Sequence, residues 1–367
     1  MKALILLDAL AVGGSETKSV RIVNELVTRG RSIHLAYLKG PAILLPKIDE
    51  RVPTACLDRK GKFSFTALRN LRDFIERHDI SVVMCMNLYP LLYAALLKLF
   101  SRHRSLKVIL AINTTDFERK RDRWFMLIYA PLIRRIDAVI YGCKHQMNSW
   151  QRNYRLQGIR SEVIYNGVDS DFFDPAMSPG DLRQELGIES SFVIGCVGRL
   201  DPEKNQSALL KVVARLNCEA QRSDVVLVGT GPERERLEKL SQDLGIKERV
   251  HFLGRMDDVR KALATMDVFV LPSVSVETFS NAALEAMAMS LPVILSDVAG
   301  ASEMIRDSDD GFLYERYDTA KLGNLLERLR IDPELGRRIG RKAGNRARSQ
   351  FGILQMFDNY EALLSEV

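Results

Sequence analysis

Short, nearly unbroken apolar runs recur along the chain, separated by longer stretches in which apolar residues return every three or four positions. In the first half the runs are ALILL (3 to 7), SVVMCM (81 to 86), KVILAI (107 to 112) and AVIY (138 to 141), with helical spacing over 15 to 29 and 64 to 77. In the second half FVIGCVG (192 to 198), DVVLVG (224 to 229), VHFLG (250 to 254), VFVLP (268 to 272) and PVILS (292 to 296) repeat the scheme. Runs that are apolar at every position fit strands covered on both faces, and such strands, joined through helices, pair in parallel. The pattern predicts an α/β protein with two doubly wound parallel sheets, whose ligands are expected beyond the carboxyl ends of the strands.

The chain has 367 residues, more than a single core usually organises. The expected division is a first domain over 1–166, a second over 167–345 and a closing segment over 346–367 that packs back toward the first. In that segment Ile353, Phe357, Tyr360 and Leu364 share one helical face. The turn-rich stretch YNGVDSDFFDPAMSPG (165 to 180) reads as the hinge.

Composition adds exclusions. The longest apolar stretch, YPLLYAALLKLF (89 to 100), is interrupted by Lys98 and is shorter than the roughly 20 residues of a membrane-spanning helix. The opening MKALILLDAL meets Asp8 too early for a signal-peptide core and reads as a first buried strand. The five cysteines are scattered and odd in number without a CxxC pair, and the five histidines lack HxxxH or HExxH spacing. Neither a disulfide framework nor a zinc site is predicted, no cofactor or metal is expected, and the expected location is the cytoplasm.

Charge changes the picture when the chain is split. Residues 1 to 166 hold 28 Lys and Arg against 14 Asp and Glu, whereas the remainder holds 25 against 33. The basic excess gathers in KLFSRHRSLK (98 to 107), in ERKRDR (118 to 123) and at Arg134 and Arg135. It predicts an anionic partner, either an acidic acceptor or the inner face of the cytoplasmic membrane, with the apolar residues between Tyr89 and Lys107 lying beneath the lipid head groups. No nucleic-acid partner is expected.

Candidate chemistry lies where strands end. In DALAVGGSETKSV (8 to 20), Gly13 and Gly14 precede a helix whose start is marked by Ser15, so backbone and helix dipole can approach an anion closely. In CVGRLDPEKN (196 to 205), Arg199 and Lys204 follow a strand and suit a diphosphate. In VETFSNAALEAMA (276 to 288), Glu277 lies in a loop, Ser280 is a good N-cap and Glu285 sits about one and a half turns into the helix. Carboxylates accept hydrogen bonds from sugar hydroxyls, and the amides around Phe279, Ser280 and Asn281 suit a phosphate between sugar and ribose.

These residues carry a resemblance. VETFSNAALEAMA resembles the E(x7)E signature of retaining GT-B glycosyltransferases of family 4. The likeness continues in order through VIYNGVD (163 to 169), VGRLDPEKN, LVGTGPERERLE (227 to 238), VHFLGRMDDV (250 to 259), DVFVLPS (267 to 273) and PVILSDVAGASEMI (292 to 305). In the first half only GGSE (13 to 16) is distinctive.

The resemblance implies a GT-B fold of two Rossmann-like domains facing a cleft. It implies metal-independent transfer of a hexose or N-acetylhexosamine from a nucleotide-diphosphate sugar, UDP by preference, to a glycan or lipid-linked acceptor in cell-envelope polysaccharide or lipopolysaccharide synthesis. By similarity Glu285 would hold the ribose and Glu277 a hydroxyl of the transferred sugar, while Arg199 and Lys204 neutralise the diphosphate and Gly14 approaches the same phosphates. Phe252, Leu253, Gly254 and Arg255 would flank the base.

Two positions depart from the pattern. Thr278 replaces the usual glycine after the first glutamate, and Asn113 stands where relatives commonly carry a histidine. Acceptor contacts are expected from Asn113, Thr114, Thr115 and Asp116. DSD at 169 to 171 and at 307 to 309 matches a metal-binding DxD only superficially, since both lie outside the donor motifs. Competing readings are a nucleotide-sugar epimerase on the same architecture and a non-catalytic sugar-nucleotide sensor.

Overall fold

The structure, a computed structural model, describes residues 2–100, 105–113, 124–189, 192–216, 222–275 and 277–367. The chain forms two units, one of residues 1–165 with 356–367 and one of residues 166–355.

The first unit is built on β1 (Lys2–Leu7), β2 (Ser32–Tyr37), β3 (Thr54–Cys56), β4 (Val82–Met86), β5 (Lys107–Ile112), β6 (Ala138–Tyr141) and β7 (Ser161–Val163). Among the described residues these form one parallel sheet in the order β3-β2-β1-β4-β5-β6-β7. Helices α1 (Gly14–Thr28), α2 (Phe65–His78), α3 (Leu88–Phe100), α4 (Met126–Ile133) and α5 (Lys144–Tyr154) connect the strands. Every residue of β4 and β6 is buried, as expected where helices cover both faces of a parallel sheet.

β2 escapes the apolar pattern because SIHLAY carries Ser32 and His34. His34 is nevertheless buried, with Nδ1 3.2 Å from the Ala3 carbonyl of the neighbouring strand.

The stretch expected to lie under lipid head groups belongs to the core. In α3, Leu91, Tyr93, Ala94, Ala95 and Leu97 are buried in the main apolar cluster of this unit, so this helix, apolar on all sides, is covered by protein. Lys98 pairs with Asp137, and Lys107 lies 3.4 Å from the same carboxylate, which also accepts the Val108 N–H at 2.8 Å. Arg102, Arg104 and the ERKRDR segment lie outside the described residues.

The second unit contains β8 (Val193–Val197), β9 (Asp224–Val228), β10 (Val250–Gly254), β11 (Val268–Leu271), β12 (Val293–Ser296) and β13 (Phe312–Tyr314). Its described strands form a parallel sheet in the order β10-β9-β8-β11-β12-β13, reversing between β8 and β11. Helices α6 (Gln206–Leu216), α7 (Arg234–Asp243), α8 (Arg260–Thr265), α9 (Asn281–Ala288), α10 (Ala301–Met304), α11 (Thr319–Ile331) and α12 (Pro333–Gln350) complete it.

α9 is held from behind by α12. A Cβ on Gly340 would come within 2.0 Å of the Ser290 carbonyl oxygen, so only glycine lets the two pack this closely. Residues 346–355, grouped with the closing segment on sequence, therefore stay with the second unit. Only from Met356 does α13 (Ile353–Glu366) join the first. There Phe357, Tyr360 and Leu364 are buried, while Arg29 bridges Glu25, Asp358 and Glu361.

Candidate active site

Three adjacent strands of the second unit end at the same level in glycines. Gly198, Gly229 and Gly254 all have positive φ, and hydrogen bonds run from Gly198 N to the Val228 carbonyl and from Gly229 N to the Gly254 carbonyl. At Gly229 the requirement is steric, because a Cβ there would fall 2.0 Å from the Gly198 carbonyl oxygen. Backbone thus reaches the carboxyl edge of the sheet without side chains in front of it, at the place where open α/β sheets bind ligands.

Arg199 and Lys204 rise from this edge on a segment organised by Asp201. The buried Asp201 carboxylate caps the 3-10 turn Pro202–Lys204 by accepting the Lys204 N–H at 3.1 Å, and its other oxygen takes Arg199 Nε at 2.9 Å and Nη2 at 2.7 Å. Gln206, also buried, donates to the Arg199 carbonyl at 2.9 Å. Arg199 remains 77% exposed despite its anchor. Its guanidinium is oriented yet accessible, the state in which a cation receives an anion at little reorganisation cost.

Lys204 turns to the loop after β11. Its ammonium pairs with Oε2 of Glu277, an oxygen that also accepts the Ser273 hydroxyl at 3.2 Å. Glu277 Oε1 accepts no hydrogen bond among the described residues. The Val274 N–H donates to the Glu203 carbonyl at 2.8 Å, tying the two loops together. Burial pushes the Cys196 thiol beside this pair up to about 12, with Lys204 lowering it and Glu277 raising it. That thiol stays protonated and is no nucleophile at neutral pH.

Helix α9 begins beside this pair. Ser280 caps it, accepting the Ala283 N–H at 3.3 Å, and Glu285 is its fifth residue, half-buried. Phe279 is buried edge-on against Phe351 at 5.1 Å, and its carbonyl takes the Asn166 amide at 2.7 Å. Thr278 is half-buried and Asn281 exposed. At the end of β10, Phe252 lies under the Arg234 guanidinium at 4.5 Å, Leu253 and Gly254 are half-buried, and exposed Arg255 pairs with Asp257 at 3.3 Å.

The first unit has its own polar edge. Gly13 is the N-cap of α1 and contributes no side-chain cap. Ser15 lies inside the first turn, where its hydroxyl donates to Glu16, so it does not mark the helix start. A Cβ added at Gly14 would meet no atom within 4 Å, which leaves the start of α1 open on that side. Asn113 closes β5, with its N–H on Asn87 Oδ1 at 3.0 Å and its own Oδ1 accepting Lys18 Nζ at 2.8 Å. Thr114, Thr115 and Asp116 lie outside the described residues.

The DSD triplets have structural uses. Asp169 accepts the Phe172 N–H, Asp307 the Leu313 N–H, and Asp309 pairs with Lys342. Among the described residues no cluster of His, Cys, Asp or Glu is arranged to hold a metal ion.

Comparison with known proteins defines the class. The fold matches Anabaena HepE, solved in complex with UDP, with a TM-score of 0.86 at 22% identity over 100% of each chain. Two parallel-sheet Rossmann-like units of this kind are the GT-B fold of glycosyltransferases. Residues 12–172 match the Glycosyltransferase Family 4 domain and residues 180–346 the Glycosyl transferases group 1 domain.

N-acetyl-alpha-D-glucosaminyl L-malate synthase of Bacillus anthracis is 32% identical over 97% of this chain and 95% of its own. UDP-Gal:alpha-D-GlcNAc-diphosphoundecaprenol alpha-1,3-galactosyltransferase of Escherichia coli is 34% identical over 56% of this chain and 54% of its own. The chain belongs to glycosyltransferase family 4 and is a glycosyltransferase.

Proposed function

We propose that this glycosyltransferase moves a hexosyl or N-acetylhexosaminyl group from a UDP-sugar, with retention at the anomeric carbon, to an acidic acceptor of the lipid-diphosphate or small-carboxylate kind. The observation that carries the reading is the Asp201–Arg199 and Lys204–Glu277 constellation at the glycine-lined carboxyl edge, beside the start of α9. Support comes from HepE, solved with UDP, and from relatives whose names give L-malate and a diphosphoundecaprenol-linked sugar as acceptors.

In this reading Arg199 and Lys204 face the diphosphate and take the charge that develops on it as the bond from C1 to the phosphate oxygen breaks. An ammonium has three donors, so Lys204 can keep Glu277 and still reach a phosphate. Glu277 Oε1 accepts a sugar hydroxyl and Glu285 the ribose hydroxyls. The acceptor oxygen bonds C1 on the face the phosphate leaves, and its proton passes to that phosphate, so Asn113 need not act as a base. The two cations supply charge that a divalent ion supplies in other transferases.

Where the acceptor is lipid-linked, the enzyme meets it at an anionic bilayer surface through the first unit. Its exposed apolar side chains Trp124, Phe125, Leu127 and Ile128 precede exposed Arg134 and Arg135, whereas Met126, Tyr129, Ala130 and Ile133 of the same stretch are buried. No helix among the described residues is long and apolar enough to cross a membrane.

The test is release of UDP from UDP-sugars by wild type and by Lys204→Met, Glu277→Gln and Glu285→Ala. Each variant is expected to keep its thermal midpoint within a few degrees and to lose about 100-fold or more in turnover, the scale of one transition-state contact. Near wild-type rates in all three would overturn the reading. A change in the sugar without release of UDP would point to an epimerase, and UDP-sugar binding without turnover to a sensor.

A further inference from the structure

We infer that Lys18 and Asn113 together hold an anionic oxygen group of the acceptor, a phosphate or a carboxylate. The inference rests on the transfer reading above and adds to it the acceptor's chemistry and the residues that read it.

Lys18 sits on the second turn of α1 and Asn113 at the end of β5, 95 positions away, yet the ammonium donates to Asn113 Oδ1 at 2.8 Å. An ammonium has no acceptor to offer, so this contact fixes which side of the amide faces Lys18. The other side, Nδ2, is buried and has no hydrogen-bond partner among the described residues. The Asn113 backbone is anchored as well, its N–H donating to Asn87 Oδ1 at 3.0 Å, and Asn87 follows β4 in the left-handed region at φ 72°.

A buried amide donor without a partner destabilises the fold, and such an arrangement is expected where a ligand completes it. Two donors, the ammonium and Nδ2, belong to one hydrogen-bonded pair, and their complement is a group that only accepts.

The placement agrees. Extending the registers of β1 with β4 and of β4 with β5 brings Asp8, Asn87 and Ile112 abreast at the carboxyl edge of the first sheet. The order reverses there between β1 and β4, which is where open α/β sheets take their ligands. Burial also draws the Lys18 ammonium down to about 8, a shift that a bound anion would oppose. Neither residue is recognisable as half of a pair in the sequence. Asn113 stands out there only by replacing a histidine, and Lys18 looks like an exposed helical cation.

Titration calorimetry on the full chain, first saturated with UDP, distinguishes the possible sources of the anion. L-malate and inorganic phosphate are the probes. Wild type is expected to bind at least one of them. Lys18→Met and Asn113→Leu should each weaken that binding tenfold or more, Lys18→Arg should stay within about threefold, and the affinity of Lys18→Met for UDP should remain within twofold of wild type.

Equal anion affinity in every variant, or no anion binding by UDP-loaded wild type, overturns the inference. A parallel loss of UDP affinity assigns the pair to the donor and overturns it as well. Wild type that neither binds UDP nor releases it from UDP-sugars contradicts the transfer reading itself, an outcome separable from the others.

Discussion

Asp201 shows how one carboxylate can set the geometry of two cations. One oxygen caps the turn that carries Lys204 and the other clamps Arg199, so both point from the same rigid segment. Asp201→Asn keeps a cap and loses the charge pairing, whereas Asp201→Ala loses both. The Asn variant is expected to retain stability within about 0.5 kcal/mol and the Ala variant to lose about 1–2 kcal/mol in denaturant unfolding, while both fall at least tenfold in kcat/KM. Equal activity in wild type and the Asn variant would show that Asp201 only caps the turn. Its cue is present in the sequence, since an acid directly before Pro202 and three positions before Lys204 is an N-cap signature. Arg199, Lys204 and Glu277 stand out as charges just past apolar runs. Contacts such as Lys204 with Glu277, 73 positions apart, or Lys18 with Asn113 are products of the fold and leave no local trace.

At the scale of elements, legibility follows burial. Strands covered on both faces, such as β4, β6 and β11, are unbroken apolar runs and are plain in the sequence. β2 is hidden by His34, whose polarity is met by the Ala3 carbonyl, and β3, β7 and β13 are three-residue strands too short to show a period. The 89–100 segment is ambiguous for the opposite reason, since an apolar helix reads alike in a core and at a membrane.

The amino edge of the first sheet is fastened at Asp137. Burial pushes this carboxyl up, but the hydrogen bond from Lys98, the Val108 N–H and nearby Lys107 outweigh it and hold the group below its ordinary range. A depressed carboxyl contributes stability above the unfolded pKa of about 3.9, and that contribution is lost as pH falls through the folded value. Asp137→Asn is therefore expected to cost about 1–3 kcal/mol at pH 7 and progressively less below pH 4. A cost that does not change between pH 7 and pH 3 would contradict the assignment.

Across the whole molecule, charge and exposed apolar surface coincide in one unit. In the proposed docking on a bilayer, the basic excess of residues 1 to 166 and the exposed Trp124, Phe125, Leu127 and Ile128 would act together. Each basic residue near an anionic bilayer contributes about 1 kcal/mol and each inserted apolar side chain a comparable amount. In vesicle flotation the full chain should rise with anionic vesicles and lose binding with added salt. Leu127→Ser with Ile128→Ser should weaken it at least tenfold, and equal recovery with neutral and anionic vesicles would count against membrane docking. The central claim is transfer with retention, and proton NMR of the reaction tests it most directly. With an α-linked UDP-sugar and an accepted acidic acceptor, the account predicts UDP and a new α-anomeric doublet appearing together in equal amounts; a β-linked product, or a changed sugar with UDP still attached, would contradict it.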